Sequence, residues 1–327
     1  YTLADALTQE HYFQGWWPTA TLPVIGASAA VAKLNGMTRE QISHAMGLAT
    51  ANSGGTRAVF GTDGKAFLCG FAAKAAVEFA MAAGAGVTGP ADAFENKSGF
   101  LCLLNHGVIE PEILETLGTT WRLVEPGLIF KRYPVCSSAQ ALVEESAALK
   151  ARHGFDVHDV RTIQCRVPPL VAHSLVYDKP QTHQQCQFSI PFSVACGMHH
   201  GGVELAHVSG AGWLEPTFLK TMDKVRWKED SSLTKNPQSA QYPECARIVI
   251  QLNDKSCIEG LRLFASGMPD APLSDTTLTE KFLACLRFGD VSKDAASDAL
   301  MQILHGEFIP TSFHTTRVLN RLWTHHW

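Results

Sequence analysis

Residues 66–84 contain Gly70, Ala72, Ala73, Ala75, Ala76, Val77, Ala80, Met81, Ala82 and Ala83, with no proline anywhere in the run. A segment of this length and composition is helix, and its apolar character on every face predicts burial on most sides. Short side chains let helix axes approach closely, which restricts the surroundings to other helices with small residues on their facing sides. Just ahead lies Gly61-Thr62-Asp63-Gly64-Lys65, a glycine-flanked turn that carries one lysine into the helix N-terminus. Amides at such an end favour negative charge, so Lys65 reads as an anion clamp. The plainer alternative is a solvated turn lysine.

The small-residue texture extends through the first third of the chain. Residues 25–35 carry Gly26, Ala27, Ala29, Ala30, Val31 and Leu34 and are closed by Gly36. Thr38, with Gln41 three residues on, has the spacing of a capping box for a helix over 42–51. After Trp121 the pattern changes. A helical run over 138–153 precedes Val160–Val167, whose period-two alternation predicts a strand. Two more alternating runs, 247–253 and 257–264, are joined by Asp254-Lys255-Ser256 and read as a hairpin. From Ser274 the helical pattern returns with Leu278, Phe282, Leu283 and Leu286, and again with Ala299, Leu300 and Ile303. The expected organisation is a helical domain over 1–125, an α+β domain over 126–265 and C-terminal helices over 266–327.

A chain of 327 residues with 46% hydrophobic content can bury more than one core. Its net charge of -4 and lack of basic runs argue against nucleic acid as a partner. No uninterrupted apolar stretch reads as membrane-spanning, and Tyr1-Thr2-Leu3-Ala4-Asp5 lacks a basic region followed by an apolar one. The nine cysteines include no CxxC pair, which is not a zinc or iron–sulfur spacing and suits reduced thiols, most of them small core residues. The expectation is a soluble, cytoplasmic protein with no membrane partner.

Chemistry concentrates where the textures meet. Phe130-Lys131-Arg132-Tyr133-Pro134-Val135-Cys136-Ser137-Ser138 brings two cations, a phenol, a thiol and two hydroxyls ahead of a helix. Ser137 or Ser138 can cap that helix, and its amides can face a carboxylate. Equally, Ser138 caps and Cys136 packs without a ligand. Trp16-Trp17-Pro18-Thr19 leads into another helix, where paired tryptophans serve as core or interface mass. His199-His200 and His325-His326 lack a carboxylate or cysteine at ligand spacing, so no metal is expected.

Several stretches, in order along nearly the whole chain, resemble the MmgE/PrpD family. These are Gly15-Trp16-Trp17-Pro18-Thr19-Ala20-Thr21 with Gly26-Ala27-Ser28-Ala29-Ala30, then Lys65 with Gly70-Phe71-Ala72-Ala73, Phe130-Lys131-Arg132-Tyr133-Pro134, and Gln187-Phe188-Ser189-Ile190-Pro191-Phe192-Ser193-Val194-Ala195. The resemblance implies a mixed α and α+β fold, with an all-helical domain and a smaller α+β domain. It further implies a cofactor-free enzyme acting on a small di- or tricarboxylate, in a family that includes 2-methylcitrate dehydratase, cis-aconitate decarboxylase and iminodisuccinate epimerase, usually as a homodimer.

Carried onto this sequence, the resemblance places Lys65 and Lys131 at family lysines. They are expected as carboxylate clamps lining one pocket near Trp17 and Cys136. Trp17 stands where the family has histidine before Pro-Thr, and Cys136 where several members have histidine. Lys65, Lys131, Tyr133 and Cys136 are the catalytic candidates, with Trp17, Thr19, Arg132, Ser137 and Ser138 as substrate-binding candidates. The expected reaction is removal of a proton alpha to a carboxylate, giving dehydration or epimerisation. The rival expectation is a non-catalytic or incomplete member, since members carry a further N-terminal helical segment with an Asp, a Thr and a His. Helix faces left open by that segment predict exposed apolar surface and an oligomer, most simply a homodimer.

Overall fold

A computed structural model describes residues 1–235 and 243–297, and the chain separates into two compact units. The first comprises Tyr1–Leu128 with Pro169–Ser189. The second comprises Ile129–Pro168 with the described residues from Ile190 onward. The segment Pro169–Ser189, expected within the α+β domain, belongs instead to the helical unit. The described residues after 265 join the second unit rather than standing apart.

The first unit is helical. Its main elements are α1 (Pro23–Leu34), α2 (Arg39–Ala51) and α3 (Gly64–Gly84), with shorter helices at Thr2–Ala6, Glu10–Phe13, Pro18–Thr21 and Phe100–Asn105. Its extended pairing among described residues is the isolated bridge from Trp16 to Thr56. Thr38 caps α2 as its spacing predicts: Thr38 Oγ1 accepts from the Gln41 N–H at 3.2 Å, and Gln41 Oε1 accepts from the Thr38 N–H at 3.0 Å. The three long helices pack on alanines. Ala32 of α1, Ala45 of α2 and Ala80 and Ala83 of α3 form one buried cluster, while Ala49, Ala72, Ala75 and Ala76 join Ile25 and Phe100 in another.

That packing corrects the expectation for residues 66–84. Only the alanine stripe of α3 is buried within the unit; Phe67 (70% exposed), Phe71, Val77 and Met81 (64% exposed) lie on the opposite side. The cause is periodicity: residues 72, 75, 76, 80 and 83 share one face, and the large apolar residues fall on the other. By length and composition α3 is apolar enough to cross a membrane, although Lys74 and Glu78 interrupt its apolar run. A Lys74–Glu78 ion pair sits on its open side at 3.4 Å.

The second unit is a four-stranded sheet covered by helices. Its elements are α4 (Gln140–His153), β1 (Val160–Val167), α5 (Ile190–His200), α6 (Pro216–Lys224), β2 (Val225–Glu229), β3 (Ala246–Leu252), β4 (Cys257–Arg262) and α7 (Asp275–Phe288). The order is β2-β1-β3-β4, with β1 parallel to β2 and antiparallel to β3, and β3–β4 forming the expected hairpin. Strand β2 is not among the expected strands, because the alternation of Val225-Arg226-Trp227-Lys228-Glu229 holds only two apolar residues; pairing with β1, from Ile163↔Val225 to Val167↔Glu229, makes it a strand. Helix α4 packs on β3 and β4, and α5 packs on α4 and β2. Inward-facing Ile163, Cys165, Val167, Ile248 and Ile250 form the sheet's side of the core.

Two features fix α4 in place. Arg262 of β4 bridges two buried carboxylates of α4, at 3.3 Å from Glu144 and 3.2 Å from Glu145. At the α4–α5 crossing, a Cβ on Gly197 would lie 2.0 Å from Ser146 Oγ and 2.5 Å from the Val143 carbonyl. Only glycine permits that approach. Of the expected final helices, α7 is present and is capped by Ser274 Oγ, which accepts from the Thr277 N–H. Ala299, Leu300, Ile303 and His325-His326 lie outside the described residues.

Candidate functional site

In the helical unit the site is built around Lys65, in the first turn of α3. Its ammonium lies 5.0 Å from the Trp17 ring centre, 5.4 Å from Phe60 and 5.3 Å from Phe188. Phe60 and Phe188 stack at 4.9 Å, and Trp17 meets Phe60 edge-on. Three aromatic rings around one half-buried cation stabilise it. This explains why Pro169–Ser189 returns to the first unit, since its residues hold the lysine turn. The Tyr177 hydroxyl donates to the Phe60 carbonyl at 2.7 Å, and Gln184 donates to Asp63 at 3.0 Å. Gly61, at φ +75°, lies under Tyr177; a Cβ there would meet that ring at 2.5 Å.

Trp17, only 5% exposed, is therefore a wall of the Lys65 cage. Thr19 is exposed on the short helix Pro18–Thr21. Tyr177 and Phe188 escaped the sequence reading as contributors to this site. Phe188 lay inside a stretch quoted for the resemblance, yet nothing in its sequence spacing ties either residue to Lys65.

In the second unit, Lys131, Cys136, Ser137 and Ser138 come together around a residue the sequence did not single out, Glu244. Ser138 is buried, and its hydroxyl donates to Glu244 Oε1 at 2.8 Å. This corrects the expected cap: neither Ser137 nor Ser138 caps the following helix by its side chain. Burial pushes the Glu244 carboxyl above its usual range, opposed by hydrogen bonds from Ser138 and Ser137 and by the Lys131 charge. Burial also raises the Cys136 thiol, and Glu244 adds to the rise; Lys131 and the amide and hydroxyl of Ser138 pull it down. Glu244 directly precedes the buried Cys245 at the entry to β3, and only the sheet brings it beside the Ser137–Ala139 turn.

Arg132 and Tyr133 face elsewhere. They line a cleft of about 720 Å³ with Glu204, Lys281 and Arg287, and the Cys136–Glu244 group is not part of that lining. The Arg132 guanidinium lies 5.3 Å from the Tyr133 ring centre. Tyr133 is buried, its phenol is raised by burial, and a Cβ on Gly202 would sit 2.8 Å from its ring. Its backbone N–H donates to Gln140 Oε1, and its carbonyl accepts from Gln140 Nε2, each at 3.0 Å. Tyr133 packs as a wall of this cleft.

Lys65 and Lys131 thus fall in different units. Among the described residues no group of three His, Cys, Asp or Glu side chains is placed to hold a metal ion. The nine cysteines form no disulfide, and burial raises Cys165 and Cys186 to about 12 and Cys245 to about 11, as packed inert thiols.

The helical unit and the α+β unit correspond in sequence to two family descriptions. The MmgE/PrpD N-terminal domain matches residues 1–110, and the MmgE/PrpD C-terminal domain matches residues 133–305. The chain belongs to the MmgE/PrpD family. It is 23% identical over 274 residues to cis-aconitate decarboxylase of Homo sapiens, an alignment covering 82% of this chain and 55% of that protein. The chain therefore spans about half the length of this curated relative.

Proposed function

We propose that the protein is a cofactor-independent lyase or isomerase that removes a proton alpha to a carboxylate of a small di- or tricarboxylate. The reading closest to the residues is a dehydratase of the 2-methylcitrate type; an epimerase of the iminodisuccinate type is the alternative. The observation that carries it is Lys65, an ammonium held over three aromatic faces. Proton loss next to a carboxylate builds enolate-like charge, and a cation fixed beside that charge lowers the barrier. The relative's name supports the class, since decarboxylation of cis-aconitate is also lyase chemistry on a polycarboxylate.

Lys65 and Lys131 are the proposed carboxylate clamps, and Cys136 the proposed proton-transfer group. Arg132 lines its own cleft and keeps at most a secondary binding role. A second copy of the chain is the proposed partner, because α3 leaves Phe67, Phe71, Val77 and Met81 uncovered within its own unit. A reducing, cytoplasmic setting is proposed from nine cysteines that form no disulfide. Incubation with a panel of di- and tricarboxylates in deuterated water, followed by NMR of α-carbon exchange, tests the reaction. Exchange with loss of water supports the dehydratase, and exchange without net turnover supports the epimerase. No exchange from any acid favours a non-catalytic member, a reading that Trp17 at the family's histidine position also supports.

A further inference from the structure

Three histidines gather where α5 ends and the short turn Leu205–Val208 follows. The His200 and His207 rings stack at 4.3 Å with 19° between their planes, and His200 lies over Phe218 of α6 at 5.9 Å. His199 meets the same Phe218 ring at 5.3 Å. The three do not bond alike. The Thr221 hydroxyl donates to the Thr217 carbonyl at 3.2 Å, so it accepts from His199 Nε2 at 2.8 Å. That nitrogen donates whether the ring is neutral or charged, so protonation leaves the bond in place. His200 is exposed at the end of α5. His207 differs, because its Nδ1 accepts from the Glu204 backbone N–H at 2.9 Å. A backbone N–H can only donate, and the bond exists only while Nδ1 carries no proton.

The turn that this bond closes is exposed at Glu204 and Ala206, anchored by the buried Val203 and Val208, and tied once more by the His207 N–H to the Glu204 carbonyl at 3.0 Å. Residues 203–206 form one wall of the cleft of about 720 Å³ that Arg132, Tyr133 and α7 complete. We infer that His207 is a pH-operated clasp: neutral, it holds the Glu204–His207 turn closed as a wall of this cleft, and protonated, it releases the turn. The inference stands apart from the proposed reaction. A proton on Nδ1 turns the acceptor into a second donor facing the Glu204 N–H and sets a positive ring against His200. The groups acting on His207 are His200 of α5 and Glu204 of its own turn. Across the cleft stand Arg132 and, on α7, Glu280, Lys281 and Arg287, while α6 brings the uncharged Phe218 and Thr221 to the stack. Burial holds the His207 imidazole below its usual value, His200 lowers it further and Glu204 opposes both. The open turn therefore binds the proton more readily. Closure is complete above about pH 6.5 and is lost as the pH falls from there through the closed-state value.

Hydrogen–deuterium exchange of the full chain, followed by peptide mass spectrometry between about pH 5 and 8, tests the clasp. Protection is expressed against the intrinsic exchange rate at each pH. In the wild type, protection over residues 203–208 should fall below about pH 6.5, by up to about tenfold per pH unit. His207→Gln supplies a carboxamide oxygen that accepts the Glu204 N–H, as in a capping box, and does not titrate. Its protection should stay near the neutral wild-type level throughout. His207→Ala should be poorly protected at every pH, and the glutamine variant decides the matter if the alanine variant does not fold. His200→Phe keeps a ring on the stack and should leave the transition in place. Wild-type protection that does not change with pH overturns the clasp, as does an equal fall in His207→Gln. A transition abolished by His200→Phe would make His200 the sensor instead, and an equal fall over β1 would mean that the whole unit opens; either result overturns the inference.

Discussion

Replacing Lys65 by methionine separates the two things this side chain does. In the folded protein its ammonium lies 5.0–5.4 Å from three ring centres. A cation over aromatic faces contributes about 0.5–1 kcal/mol when exposed and about 2 kcal/mol when desolvated. A methionine thioether on the same rings recovers about 0.3–1.5 kcal/mol. The net effect of Lys65→Met on stability is therefore below about 2 kcal/mol. Its effect on catalysis is larger, because losing one fixed donor of charge stabilisation costs about 10²–10³-fold, or about 2.7–4 kcal/mol. The assay pairs the α-proton exchange rate in deuterated water with urea unfolding of the same preparation. Lys65→Arg keeps the charge and should retain part of the exchange. Two results would refute the reasoning: exchange by Lys65→Met within about threefold of wild type, since no fixed charge of the size above would then be missing, or destabilisation beyond about 3 kcal/mol, which would make Lys65 a packing residue of the cage.

Three further outcomes follow from the packing. Arg262→Met leaves the buried Glu144 and Glu145 carboxylates without their shared cation and should destabilise the second unit by about 3 kcal/mol in urea unfolding. Gly197→Ala puts a methyl group against the Val143 carbonyl of α4, which cannot rotate away, and should cost about 1–3 kcal/mol by the same measurement. His11 is buried, with Nδ1 2.7 Å from the Leu104 carbonyl and Nε2 2.7 Å from Thr21 Oγ1, and burial holds its imidazole below its usual value. The unfolded chain binds that proton more readily, so the contribution of His11 to stability is complete above pH about 6.5 and is lost as the pH falls from there through the folded-state value. Urea midpoints should drop less between neutral and mildly acidic pH in His11→Gln than in wild type; an equal drop in both would remove His11 as the source.

What the sequence determined by itself is local. Thr38 with Gln41 specified a capping box, and Val160–Val167 and the hairpin around Asp254-Lys255-Ser256 were legible because alternation and turn chemistry act over a few residues. The family was legible because its motifs keep their order along the chain. The tertiary structure decided what depends on distant partners. Strand β2 exists because β1 offers it a ladder, and α3 is buried only where α1 and α2 meet its alanines. Lys65 was visible as a turn lysine, but its cage needed Phe188, a residue distant in sequence, folded back over the turn. Ser138 looked like a helix cap until the sheet carried Glu244 to its hydroxyl. A hydroxyl gives its proton to whichever acceptor the fold delivers, and a carboxylate is a stronger acceptor than a neutral group. That choice is made by packing, not by spacing along the chain.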